Sequence, residues 1–158
     1  MSAETEARPF FFEDCVVGEE QLAGSHVVTA GEIIEFARQW DPQPFHIDEK
    51  AARASIFGGL TACSAHIFSI FCITSQRWQS GVVQQAVAGL GFDEMRMLKP
   101  VFAGDTLNCI SIIDAARPSN SNPDCGIVTY NTLLKNQHGD VVFSIKASSM
   151  LAKDPARN

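Results

Sequence analysis

The spacing of apolar and polar positions changes period about halfway along the chain. In the first half, QLAGSHVVT alternates and predicts a strand. Thr29-Ala-Gly-Glu32 follows as a capping box, with the threonine oxygen and the glutamate carboxylate satisfying the first free amides of a helix. Ile33, Ile34, Ala37 and Trp40 form the apolar stripe of that helix, and Asp41-Pro42 stops it. Asp48 to Ala54 predicts a short helix with acids at its positive end, broken by Ile56-Phe57-Gly58-Gly59. From Leu60 to about Arg77 the chain is apolar nearly all round, which predicts a helix in the core rather than on a surface. The second half predicts four β segments, at about Gln84–Leu98, Asp105–Arg117, Cys125–Asn136 and Asp140–Leu151. Turn signals separate them: Lys99-Pro100 with Ala103-Gly104-Asp105, then Pro118 to Pro123, then His138-Gly139-Asp140. A buried helix followed by an antiparallel sheet that wraps it is an α+β architecture. Alternation in GIVTYNTLLKN fits a sheet with one packed face.

Composition adds limits to this picture. The 158 residues are enough for a substantial core, and no repeat or linker divides them. The expectation is a single domain over 1–158 with its core at about 10–152. A net charge of −6 argues against a nucleic-acid partner, which needs a basic face. The cysteines number five, an odd count, with no CxxC pair; this suits free thiols in a reducing compartment. MSAETEARPFFFEDC carries acids and only a short apolar run, unlike a signal peptide. No apolar stretch approaches the ~20 residues that span a bilayer. A soluble, cytoplasmic protein with no membrane partner is the resulting expectation.

The stretch with the most chemical promise is DPQPFHID, Asp41 to Asp48. Prolines at 42 and 44 exclude a regular helix there and stiffen the backbone between Asp41 and His46. Histidine titrates near neutrality, and a nearby carboxylate can order a water and fix the ring tautomer. The plainer alternative is an acid ending a helix and a histidine in a tight turn. Gly58-Gly59, read as leading into the buried helix, would leave amides open toward negative charge such as a thioester oxygen becoming enolate-like. Its plainer alternative is a crowded loop. His26 and His138 read as surface or edge residues, and His66 as a core histidine that is also a candidate to line a pocket. No His/Cys/Asp/Glu cluster has metal-ligand spacing, and no GxSxG elbow or phosphate-cradling loop occurs.

Taken in order, DPQPFHIDEKAA, FGGLTACSAH and MRMLKPVFAGDTL resemble the MaoC-like, R-specific enoyl-CoA hydratases, whose motif runs D-x-N-P-hydrophobic-H-x-D. The resemblance covers roughly residues 10 to 150 and implies a hot-dog fold, a long helix wrapped by a curved antiparallel sheet, assembled as a homodimer or higher. It implies that Asp41 and His46 are the catalytic pair, and that the Gly59 amide, with Gly58 and Gln43 nearby, binds the thioester. Asp48 becomes a structural acid, such as an N-cap. Gln43 stands where the motif has asparagine, and the serine that lines the pocket in some hydratases aligns near Ile67, with Ser64 and Ser69 close by.

The activity implied is hydration of an enoyl-CoA thioester to its 3-hydroxyacyl-CoA, or the reverse, with no cofactor beyond the CoA carried by the substrate. A hot-dog acyl-CoA thioesterase and a non-catalytic acyl-CoA-binding or scaffold protein are the rival readings.

Overall fold

The computed structural model describes residues 7–157, so the acidic start at 1–6 lies outside the described residues. A short strand β1 (Arg8–Phe10) leads through a single helical turn into β2 (Glu20–Val27). Three helices follow: α1 (Ala30–Trp40), α2 (Pro44–Ile47) and α3 (Glu49–Ala54). Then come α4 (Ser64–Thr74), the short β3 (Val82–Gln84), and the long strands β4 (Ala86–Met97), β5 (Thr106–Pro118), β6 (Cys125–Lys135) and β7 (Val141–Ala152). The long strands and β2 form one five-stranded antiparallel sheet in the order β2-β5-β6-β7-β4. β1 and β3 form a separate parallel pair.

The alternation that marked the second half is visible as burial. Along β6, Val128, Tyr130, Thr132 and Leu134 are buried, while the residues between them are only partly covered. Val128, Tyr130 and Leu134 share one core cluster with Ile67, Ile70 and Phe71 of α4 and with Leu107, Ile113, Phe143 and Ile145 of the sheet. Phe71 and Phe143 lie with ring centroids 5.7 Å apart. Complete burial of one such side chain contributes roughly 1.5–3 kcal/mol. β2 reaches α4 through Gly24, where a Cβ would stand 2.9 Å from Arg77 Cβ and 3.1 Å from the Thr74 carbonyl oxygen. That close approach admits no side chain.

The predicted core helix is shorter than expected and less enclosed. Residues Leu60–Ala62 are extended, because the Ala62 amide donates to the Val101 carbonyl at 2.9 Å and the Ala103 amide to that of Leu60 at 3.1 Å. Helix α4 starts only at Ser64, and Ser64, Ala65, Ser69 and Ile73 face outward. The two-proline segment also differs from expectation. Pro44 occupies the first position of α2, a four-residue helical turn, where its missing amide is harmless. All five cysteines are free thiols. Among the described residues no helix is long and apolar enough to cross a membrane.

Candidate active site

Helix α1 brings Asp41 to the site. Its N-cap, Thr29, accepts from the Glu32 amide at 3.2 Å, and Ile33 and Ala37, one turn apart, bury its inner face. Asp41 is the C-cap, its amide donating to the Ala37 carbonyl at 2.8 Å. From there the backbone turns on itself: the Gln43 amide donates to the Asp41 carbonyl at 2.8 Å, and the His46 amide to the Gln43 carbonyl at 2.9 Å. Gln43 therefore orders the turn through its backbone, while its side chain is exposed and does not cap α2. Asp48 caps α3, accepting from the Ala51 amide at 2.7 Å, the structural role the sequence assigned it.

His46 is buried, 8% exposed, with Phe45 packed edge-on against its ring. Its Nδ1 lies 2.5 Å from the Thr61 carbonyl oxygen, which accepts only, so Nδ1 carries the hydrogen. In the neutral ring Nε2 is then a bare lone pair. That nitrogen sits 3.9 Å from Asp41 Oδ2, beyond direct hydrogen-bond range but suited to sharing one water. A half-exposed acid and a buried base of fixed tautomer thus converge.

His46 opens on a cleft of about 290 Å³ lined with it by Phe45, Phe57, Thr61, Ser64 and Ile67 from one side and by the 97–101 segment from the other, while Asp41 stands beside His46 outside that lining. Ser64 is the first residue of α4, and the N-cap Cys63 offers no side-chain hydrogen bond. The first turn of α4, which contributes Ser64 and Ile67 to the cleft wall, therefore carries no side-chain cap, and a helix start of this kind favours negative charge. Gly58 and Gly59 are not at that helix end and do not line the cleft. Gly58 has φ +69, so glycine is required there by the turn; a Cβ at Gly59 would meet only Phe102, at an ordinary 3.5 Å.

His66 is a buried residue of the central helix, as expected. It lines no part of the cleft; its Nε2 lies 3.2 Å from Glu32 Oε1, the same oxygen that His26 Nε2 approaches at 2.7 Å. Glu32 was read as a capping residue and His26 as an edge residue, yet they join with His66 in one cluster. Burial alone would raise the Glu32 carboxyl, but the His26 hydrogen bond and charge, with Thr29 and His66, hold it below the ordinary value. Burial pushes His66 below its ordinary 6.5, against the pull of Glu32. A histidine whose folded pKa is depressed lends stability that is full above its unfolded value and lost as the pH falls below it. Thermal melts are expected to hold steady above about pH 7 and to drop as the pH falls below ~6.5. In His66→Phe that part of the drop should be smaller; an identical acid profile in the variant would refute the assignment.

Comparison with known proteins agrees with this architecture. Residues 15–135 match the model of the MaoC-like domain family. A mesaconyl-CoA hydratase of Cereibacter sphaeroides is 32% identical over 145 residues, covering 90% of this chain and 41% of that protein. The chain thus spans about two-fifths of the length of that relative. A crystal structure of a MaoC-like dehydratase from Rhodospirillum rubrum is 37% identical with a TM-score of 0.84, covering 92% of this chain and 99% of that one. A Mycobacterium tuberculosis protein described as a double hotdog fold superposes with a TM-score of 0.79 at 17% identity, covering 93% of this chain and 45% of that one, a likeness of fold alone. By fold and by sequence, this chain belongs to the MaoC-like dehydratase family, built on the hot-dog fold.

Proposed function

We propose that the chain adds water across the double bond of an enoyl-CoA thioester and catalyses the reverse dehydration. The observation that carries this reading is His46 Nε2, on the wall of a cleft that Ser64 at the start of α4 also lines, held 3.9 Å from Asp41 Oδ2. A water donating one hydrogen to each group has its oxygen directed at the β-carbon. As the C–O bond forms, the pair takes one proton from the water, and the other stays as the new hydroxyl hydrogen. The double-bond electrons move onto the thioester, whose oxygen becomes enolate-like and is stabilised by the Ser64 end of α4. The pair then returns the proton to the α-carbon, so water is fully accounted for. The R configuration of the product follows from the family resemblance, and a thioester of coenzyme A from the mesaconyl-CoA hydratase relative.

The acyl tail is assigned to a second cavity, about 270 Å³, between the last turns of α4 and the sheet. Its lining mixes Phe71 and Phe92 with Gln84, Ser111, Tyr130 and Thr132, and contains no lysine, arginine or histidine. Ser111 and Thr132 hydroxyls lie 2.8 Å apart, and Gln84 donates to the Tyr130 hydroxyl at 2.9 Å. Such a lining favours an uncharged, oxygen-bearing tail over a carboxylate.

A second copy is assigned to the β4 edge. All 12 residues of β4 are exposed in the single chain, with Val87, Leu90, Phe92, Met95 and Met97 among them. An unpaired apolar edge this long invites another strand. The double hotdog protein is about twice this chain's share of it, which makes two units the natural complement. Antiparallel pairing of two β4 strands would set the Met97 end of one against the Ala86 end of the other, bringing each cleft toward its partner's tail cavity. Light scattering at micromolar concentration is expected to give about twice 17.2 kDa or a multiple of that; the mass of one chain would overturn the assembly.

The test of the reaction is a panel of enoyl-CoA thioesters followed by loss of the conjugated-enoyl absorbance, with CoA thiol release recorded in parallel. Absorbance loss without thiol release supports the hydratase. Thiol release alone would make the protein a thioesterase, and neither signal a binding protein.

A further inference from the structure

The Glu32 carboxylate is engaged far beyond the needs of a helix cap. Oε1 accepts from His26 Nε2 on β2 at 2.7 Å and lies 3.2 Å from His66 Nε2 on α4, while Oε2 accepts from Thr29 Oγ1 at 3.2 Å. An ionised carboxylate only accepts, so both rings carry their hydrogen on Nε2. His66 is 6% exposed, stacked on Phe36 at 4.7 Å and 11°, and its Nδ1 has no partner among the described residues. An orphaned buried nitrogen is destabilising. A phenylalanine would fill the same slot, stack on Phe36 and leave no orphan; the one thing it cannot do is donate to Glu32. Nor is the cluster a metal centre, since no His/Cys/Asp/Glu group among the described residues is placed to hold an ion.

We propose that Glu32 and His66 are positioning residues that hold α1, and with it Asp41, in register with His46 and the amide end of α4. This rests on the hydratase reading. Helix α1 is pinned at both ends against the segment that ends in α4. At its far end, the turn that follows Asp41 is tied down by His46 Nδ1 on the Thr61 carbonyl, three residues before α4 begins. At its near end, Glu32 grips His66, the third residue of α4. Glu32 and Asp41 are separated by roughly 14 Å of helix rise. Between them α1 is held by Ile33 and Ala37 and by the Phe36 ring stacked on residue 66, apolar contacts that are non-directional and permit small shifts. With the near pin gone, α1 can rock about the far one, and the 3.9 Å spacing of Asp41 and His46 is no longer maintained. Sub-ångström misplacement of a reacting group is enough to slow catalysis.

The experiment compares His66→Phe, Glu32→Gln and Glu32→Leu in the full chain. His66→Phe is expected to melt at or above the wild-type temperature while kcat falls about tenfold at nearly constant KM. Hydrogen exchange at the Asp41 and Gln43 amides should speed up by about tenfold, with the β6 core amides unchanged. Glu32→Gln, whose carbonyl still accepts from the rings, should keep more of kcat than Glu32→Leu. Wild-type kcat in folded His66→Phe overturns the proposal, as does a kcat loss that merely follows a lowered melting temperature. Asp41→Asn, assayed alongside, separates the two levels. If the wild type shows no hydration at all, the hydratase reading fails and exchange at Asp41 and Gln43 alone decides whether the clamp orders the turn; unchanged exchange sinks it.

Discussion

Asp41→Asn and His46→Gln are each expected to lower kcat by at least ~10²-fold, the range for losing a general acid or base, while leaving the melting temperature within a few degrees of wild type. The asymmetry between activity and stability follows from the geometry. Asp41 is half-exposed, and its carboxylate makes no contact shorter than 3.9 Å with His46, so an amide of the same shape removes the charge without unsettling the fold. Asparagine cannot take a proton from the shared water, however, and presents a donor where an acceptor is needed. His46 is buried, and its role in the fold is the hydrogen bond to the Thr61 carbonyl. A glutamine amide can supply that bond but has no basic nitrogen to face Asp41. The measurement is steady-state turnover of one good enoyl-CoA substrate, beside circular-dichroism melts of each purified variant. Wild-type turnover in either folded variant would falsify the mechanism. A loss that appears only with a collapsed melt would show that the pair holds the turn together rather than working the chemistry.

The long strands were legible because one buried face forces a strict alternation, and the observed bounds Thr106–Pro118, Cys125–Lys135 and Val141–Ala152 lie within a residue or two of the expected ones. The β1–β3 pair was not, since three residues each, 74 apart in sequence at Arg8 and Val82, carry no period to read. Leu60 to Cys63 has the apolar composition of a helix start. What keeps it extended is pairing with Val101 to Ala103, a contact between distant segments that local pattern does not reveal. That displacement also moved the helix end away from Gly58 and Gly59. The role of Glu32 was hidden for a related reason: Thr29-x-x-Glu32 is a complete local account of a cap, and only the fold shows histidines from β2 and α4 meeting the same oxygen. The β4 pattern reads as an ordinary strand, and its full exposure emerges only once the order of strands leaves it at an edge.

Ser64→Pro is expected to fold like the wild type and lose about 10²-fold in kcat, whereas Gly59→Ala should lose little of either. The argument turns on which amide faces the thioester oxygen. Ser64 is the first residue of α4, the position where proline is best tolerated, because that amide has no partner inside the helix. The preceding residue, Cys63, already has the extended backbone that proline imposes on its neighbour, φ −74 and ψ 161. Proline at 64 therefore deletes one amide hydrogen and a small exposed hydroxyl, and leaves α4 otherwise undisturbed. If that hydrogen stabilises the enolate-like oxygen, its loss removes about 3 kcal/mol of transition-state binding. Gly59, by contrast, accepts a methyl group with only ordinary contact to Phe102, and it stands away from the helix end. Gly58→Ala should fall between them in a different way, with turnover largely kept and stability lowered by about 1 kcal/mol or more, since φ +69 strains any side chain there. Turnover and melts on the three variants, with one substrate, separate these cases. Normal turnover in a folded Ser64→Pro enzyme would rule out the α4 end as the oxyanion site, and a selective loss in Gly59→Ala would return that role to the glycine.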